Sequence, residues 1–188
     1  SGGRQGSVTE LVSYPAGEIG SILPPITGLL VSPVAALASP ALAHNLACAF
    51  TLLLAAVGVG VFTALLGGRR AGAWAGLLTL CGRPLVAHIG LGMLEGATLG
   101  WSALAGAAML RWVQVGGLPW ALLAGLLPAV AVVDNPYALV LLLPAALLAA
   151  AARRRPTESA VAAFMGLALI ALRLWWVGEG LGGNIPNP

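Results

Sequence analysis

Residues 42–66 contain no Asp, Glu, Lys or Arg. About 20 mostly apolar residues carry a helix across a bilayer core, with a range of roughly 17–25. A run of this kind must be buried in a very large core or placed in lipid. The 188-residue chain is 59% hydrophobic and only 8% charged. A soluble domain has about 45–50% apolar and about 25% charged residues. These values exclude an ordinary soluble domain, a disordered tail and a disulfide scaffold. The expected fold class is all-α, a polytopic membrane helix bundle with about six spans.

The spans are expected at about 42–66, 71–89, 97–113, 118–133, 137–152 and 159–177. Gly67-Gly68-Arg69-Arg70 closes the first, and Arg83-Pro84 marks the exit of the second. Arg111-Trp112 ends the third. Asp134-Asn135-Pro136 follows the fourth, Arg153-Arg154-Arg155-Pro156 the fifth, and a Gly-rich tail the sixth. Residues 22–38 are apolar but carry Pro24, Pro25 and Pro33. Proline breaks the hydrogen-bond ladder, and open backbone is not tolerated against lipid. This stretch reads as an interfacial or re-entrant segment packed on protein. The chain then divides into an outer loop with that segment (1–41), a transmembrane bundle (42–177) and a second outer loop (178–188).

All nine basic residues are Arg, and the net charge is +3. The charge is too small and too dispersed for a nucleic-acid surface, so no nucleic-acid partner is expected. Arg69, Arg70, Arg111, Arg153, Arg154 and Arg155 fall on one side of the span count. Arg4 and Arg83 fall opposite, and Arg173 lies in the last span near its outer end. Cytoplasmic loops carry the Arg/Lys excess, so the Arg-rich side is cytoplasmic and both ends lie outside. The expected location is a bacterial inner membrane. The chain starts Ser-Gly-Gly-Arg without Met and ends within a loop-like Gly-Gly-Asn-Ile-Pro-Asn-Pro. With an outer N-terminus and no visible signal peptide, it is expected to be a piece of a longer polypeptide.

Trp101, Trp112, Trp120, Trp175 and Trp176 lie near predicted span ends, the usual aromatic belt. Gly72 and Gly76, four apart, suit close helix packing, while Gly92, Gly96 and Gly100 fit packing or a turn equally. Cys48 and Cys81 lie in apolar stretches and read as small core residues.

Ionisable groups near a membrane are costly and default to functional candidates. Glu10, Glu18, His88, Glu95, Asp134 and Glu179 fall on the outer side. His88 and Glu95 are seven apart, about two helical turns, and would share a face if that stretch were helical. Two ligands do not make a metal site, and an interfacial histidine is the preferred reading. Asp134 is read either as a carboxylate facing an outer cavity or as the cap of the fifth span. Glu18, after Tyr14-Pro15-Ala16-Gly17, is either a solvated loop residue or a carboxylate above the interfacial segment. Glu158 reads as a helix-start carboxylate after Thr157. No P-loop, dinucleotide fingerprint, HExxH or GxSxG occurs, so ATP hydrolysis and serine-hydrolase chemistry are unsupported.

Tyr14-Pro15-Ala16-Gly17 leads to Leu29-Leu30-Val31-Ser32-Pro33, then to His44-Asn45-Leu46 opening a long span. Gly67-Gly68-Arg69-Arg70, Ala75-Gly76-Leu77-Leu78, Arg83-Pro84, His88 with Gly90, and Trp101 follow in order. This order resembles the GT-C glycosyltransferase superfamily, its YfhO-like, polyprenyl-phosphate-sugar-dependent members among them. The resemblance covers nearly the whole chain through loosely spaced small residues. It implies transfer of a sugar from a polyprenyl-phosphate donor to an acceptor on the outer face. It also implies an acidic first outer loop and, by family alone, a divalent metal; no cofactor is evident in the residues themselves. This chain has no DD or ExD there. Within that picture Glu18 and Asp134 are the catalytic candidates, and Arg83, His88 and Glu95 the substrate-binding candidates, with Arg83 able to pair a donor phosphate. The alternatives are a non-catalytic structural subunit bound to partner membrane subunits and, behind it, a small-molecule transporter. Membrane lipid is the expected surrounding partner in all three.

Overall fold

The computed structural model describes residues 33, 37, 40–90, 96–135 and 137–182. Among these the chain is all helical. The helices are α1 (Pro40–Leu80), α2 (Arg83–Gly90), α3 (Gly96–Val115), α4 (Leu118–Asp134), α5 (Ala138–Arg153) and α6 (Pro156–Gly182). Two compact units are present, Ser1–Gly100 and Trp101–Pro188, dividing in the first turns of α3. Most of the proline-rich segment 22–38 lies outside the described residues, apart from Pro33 and Leu37, which are helical.

In the first unit α1 is broken at Gly68, whose φ of 85° and ψ of 169° are non-helical. Only glycine adopts that region without strain. The two arms, 40–67 and 69–80, fold back on each other. A Cβ at Gly76 would sit 3.0 Å from the Ala56 carbonyl oxygen, and one at Gly72 would sit 2.5 Å from that of Gly60. Partner numbers fall as chain numbers rise, so the arms are antiparallel, and Gly60, Gly72 and Gly76 let their backbones meet. Gly100 packs in the same way against the Leu54 backbone, and Gly58 against Gly100. The turn after the first span and the packing role of Gly72 and Gly76 therefore stand where the sequence places them.

The second predicted span is not continuous. The helix ends at Leu80, and Cys81-Gly82 forms a turn closed by Cys81 N–H to Leu77 O (3.1 Å) and Gly82 N–H to Thr79 O (3.2 Å). Arg83-Pro84 then starts α2 rather than ending a span, because Pro suits a first helical turn. Cys81 is exposed at this turn, not a core residue, and Cys48 is half-buried. Among the described residues one helix, Ala41–Leu80, is long and apolar enough to cross a membrane. With the break at Gly68, its first arm alone is about 42 Å long at 1.5 Å per residue.

The helices α3, α4 and α5 fall on the residues expected for the third to fifth spans to within a few positions, with α4 and α5 shorter than a full span. Gly116 and Gly117, at φ 75° and 94°, turn α3 into α4, and Pro119 opens α4. Arg154 closes α5 in the left-handed conformation at φ 51°, and Pro156 opens α6. That last helix runs on through Gly182, past the Gly-rich boundary expected at 177. The buried core is mostly alanine: Ala105, Ala121, Ala124, Ala131 and Ala149, with Met109, Trp112 and Leu142. The most extensive pairing is α4 with α6. A Cβ on Gly125 would overlap the Ala162 carbonyl, so these two backbones are in contact. By comparison α5 meets α4 over a much smaller area.

Candidate functional site

The Arg-rich end of the second unit is built from two tight turns. Glu158 lies in the first turn of α6, where its charge suits the helix dipole. It is buried. Trp112 Nε1 donates to Glu158 Oε2 at 2.8 Å. Arg153 Nε donates to the same oxygen at 3.1 Å, and Arg155 donates to Oε1 at 3.1 Å. The indole hydrogen bond is the largest influence holding the Glu158 carboxyl down at about 2, and the two arginines reinforce it against burial. A Cβ at Gly116 would overlap the Arg153 guanidinium, so the α3–α4 turn must be glycine for Arg153 to lie against it. This cluster fastens the end of α3 to the α5–α6 turn.

Trp112 is thus a core residue, 2% exposed, and not part of an aromatic belt. Trp101 and Trp120 are half-buried against the same unit's core. A lone acid beside three arginines was a readable pairing signal. Its indole donor, 46 positions away, left none in the sequence.

Beside the cluster lies a cavity of about 330 Å³. Its walls come from α3 (Met109, Trp112), α4 (Pro128), α5 (Leu143) and α6 (Ser159, Ile170), and they are almost wholly apolar. It exists because α4 and α6 are in backbone contact while α5 stands off.

The sequence-predicted residues are dispersed. Arg83 is exposed at the start of α2, and His88 lies on the same helix. Asp134 ends α4 in the second unit, half-buried, and does not line the cavity. In the turn that follows it, Asn135 Oδ1 accepts the Tyr137 N–H at 3.0 Å. Glu10, Glu18, Gly92 and Glu95 lie outside the described residues. On α1, Cys48 Sγ lies 3.5 Å from His44 Nε2, one turn away. Among the described residues no three His, Cys, Asp or Glu side chains gather as a metal set. No family model, curated protein or solved structure matches this chain.

Proposed function

We propose that this chain is an integral-membrane helical subunit with a structural role, packing within a larger membrane assembly. The observation that carries the reading is the Trp112–Glu158–Arg153–Arg155 cluster. A buried carboxylate near a membrane is costly and ordinarily marks a site of action; here its hydrogen bonds tie helix ends together. The distribution of side-chain size supports it. Alanines fill the core, while Leu141 (75% exposed), Leu148 (71%), Phe164 (71%) and Leu167 (68%) face outward. Large apolar side chains outside and small ones inside suit a solvent of lipid and partner helices. In this reading the chain crosses a bacterial inner membrane six times with its Arg-rich turns in the cytoplasm.

The competing reading is the polyprenyl-phosphate-dependent transferase, carried by the resemblance. One pair of experiments separates them. A photo-crosslinker in place of Leu141 or Leu148, at native expression level, should give a single adduct of fixed mass. Sugar transfer from a polyprenyl-phosphate donor by the purified chain, abolished by Glu18→Gln, would overturn the structural role.

A further inference from the structure

The cavity of the second unit has a shape and a charged end that the packing role leaves unused. From Ser159 to Ile170 on α6 it extends about 16 Å at 1.5 Å per residue. That is about half of a ~30 Å hydrocarbon core, the depth of one leaflet. Spread over this length, about 330 Å³ gives a channel roughly 5 Å across, the thickness of one hydrocarbon chain at carbon–carbon contacts of about 4 Å. Leu139, Leu143, Leu147, Ala163 and Leu167 line the cavity and are also exposed, so it opens sideways between α5 and α6.

One end is basic. Trp112, Ala150 and Ser159 line the cavity there, each within one helical turn of Arg111, Arg153, Arg154 or Arg155. Four arginines and one carboxylate, Glu158, belong to the helix ends here, and Glu158 pairs with Arg153 and Arg155. Arg111 and Arg154 take no part in that cluster. A phosphate at the headgroup level would complement them.

We infer that the second unit holds one anionic glycerophospholipid from the Arg-side leaflet, an acyl chain in the cavity and the phosphate at Arg111 and Arg154. This rests on the membrane placement proposed above, and not on the structural role. The test uses the full chain, membrane-inserted and then purified in neutral detergent. Phosphatidylglycerol and phosphatidylcholine compete for it, and native mass spectrometry reads the lipid retained. One phosphatidylglycerol per chain is expected, preferred by tenfold or more, about fivefold for each arginine. Arg111→Gln with Arg154→Gln should keep a lipid but lose that preference. Ala163→Phe, which fills the cavity mouth, should lose both lipids, while Arg69→Gln with Arg70→Gln, in the other unit, should change nothing. A membrane-inserted helical chain that retains no lipid, or retains the two lipids equally, overturns the inference and leaves the structural role standing. So does phosphatidylglycerol retention by Ala163→Phe at the wild-type level. If Ala163→Phe does not fold, the wild-type competition and the double arginine variant decide. A chain found outside the membrane fraction would instead overturn the placement.

Discussion

Glu158 has three donors on two oxygens, and they come from separate helix ends. Its carboxyl is held at about 2, against an ordinary value of 4.5. A carboxylate with a lowered folded-state pKa gives stability that is complete above its unfolded value and lost as pH falls through the folded one. Thermal unfolding in detergent should therefore be constant near neutrality. It should weaken as pH drops from about 4.5 toward about 2. Trp112→Phe removes the strongest of these influences, so the loss should be smaller and should be complete at a higher pH. Glu158→Gln should melt lower than wild type at pH 7 and show no loss in that window. If wild type and Glu158→Gln have the same acid profile, the carboxylate is not the fastener. The sequence reading reached only the local half of this cluster. The dipole argument and the Arg run sit beside Glu158 in the chain, whereas Trp112 reaches it from α3, 46 positions away. Its position at a span end was equally compatible with a lipid interface, and only burial separates the two.

Helix ends were legible because their chemistry is local. Gly67-Gly68 before an arginine pair, and Arg153-Arg154-Arg155 before Pro156, each mark a helix end through local residues. The Cys81-Gly82 break was misread because the same Pro84 can follow one helix or open the next, and only backbone geometry tells which. Two glycines make opposite demands and can be told apart. Gly68 has nothing within 4 Å of a Cβ, so Gly68→Ala should cost only backbone strain, about 1–3 kcal/mol. Gly125 is helical and gains propensity from any side chain, but the Ala162 backbone occupies the space. Gly125→Leu should cost about 3 kcal/mol, the upper range for overpacking, by forcing α4 from α6. Denaturant unfolding of both variants in one detergent checks this. If Gly125→Leu is as stable as wild type, the two backbones are not in contact.

For the molecule as a whole, composition pointed to helices and the Arg distribution to an expected orientation, but neither could give the pairing of helices. A bundle of alanines and glycines offers many similar faces, and the partner of each face is settled only when the whole bundle packs. Hydropathy alone likewise leaves the number of crossings open, since α4 and α5 are apolar yet near the lower length for a span. Side-specific labelling decides this. With Cys48 and Cys81 replaced by Ser, single cysteines at Arg70, Tyr137 and Arg155 report three turns. Tyr137 is 82% exposed between α4 and α5, and Arg70 and Arg155 are exposed at their own turns. In sealed bacterial cells a membrane-impermeant maleimide should label Tyr137→Cys and neither of the others. In inverted membrane vesicles Arg70→Cys and Arg155→Cys should label and Tyr137→Cys should not. The six-span arrangement requires this alternation, because α5 must cross for Tyr137 to face away from Arg155. If Tyr137→Cys and Arg155→Cys label from one side, α5 does not span, and its apolar outer face must then meet protein in place of lipid.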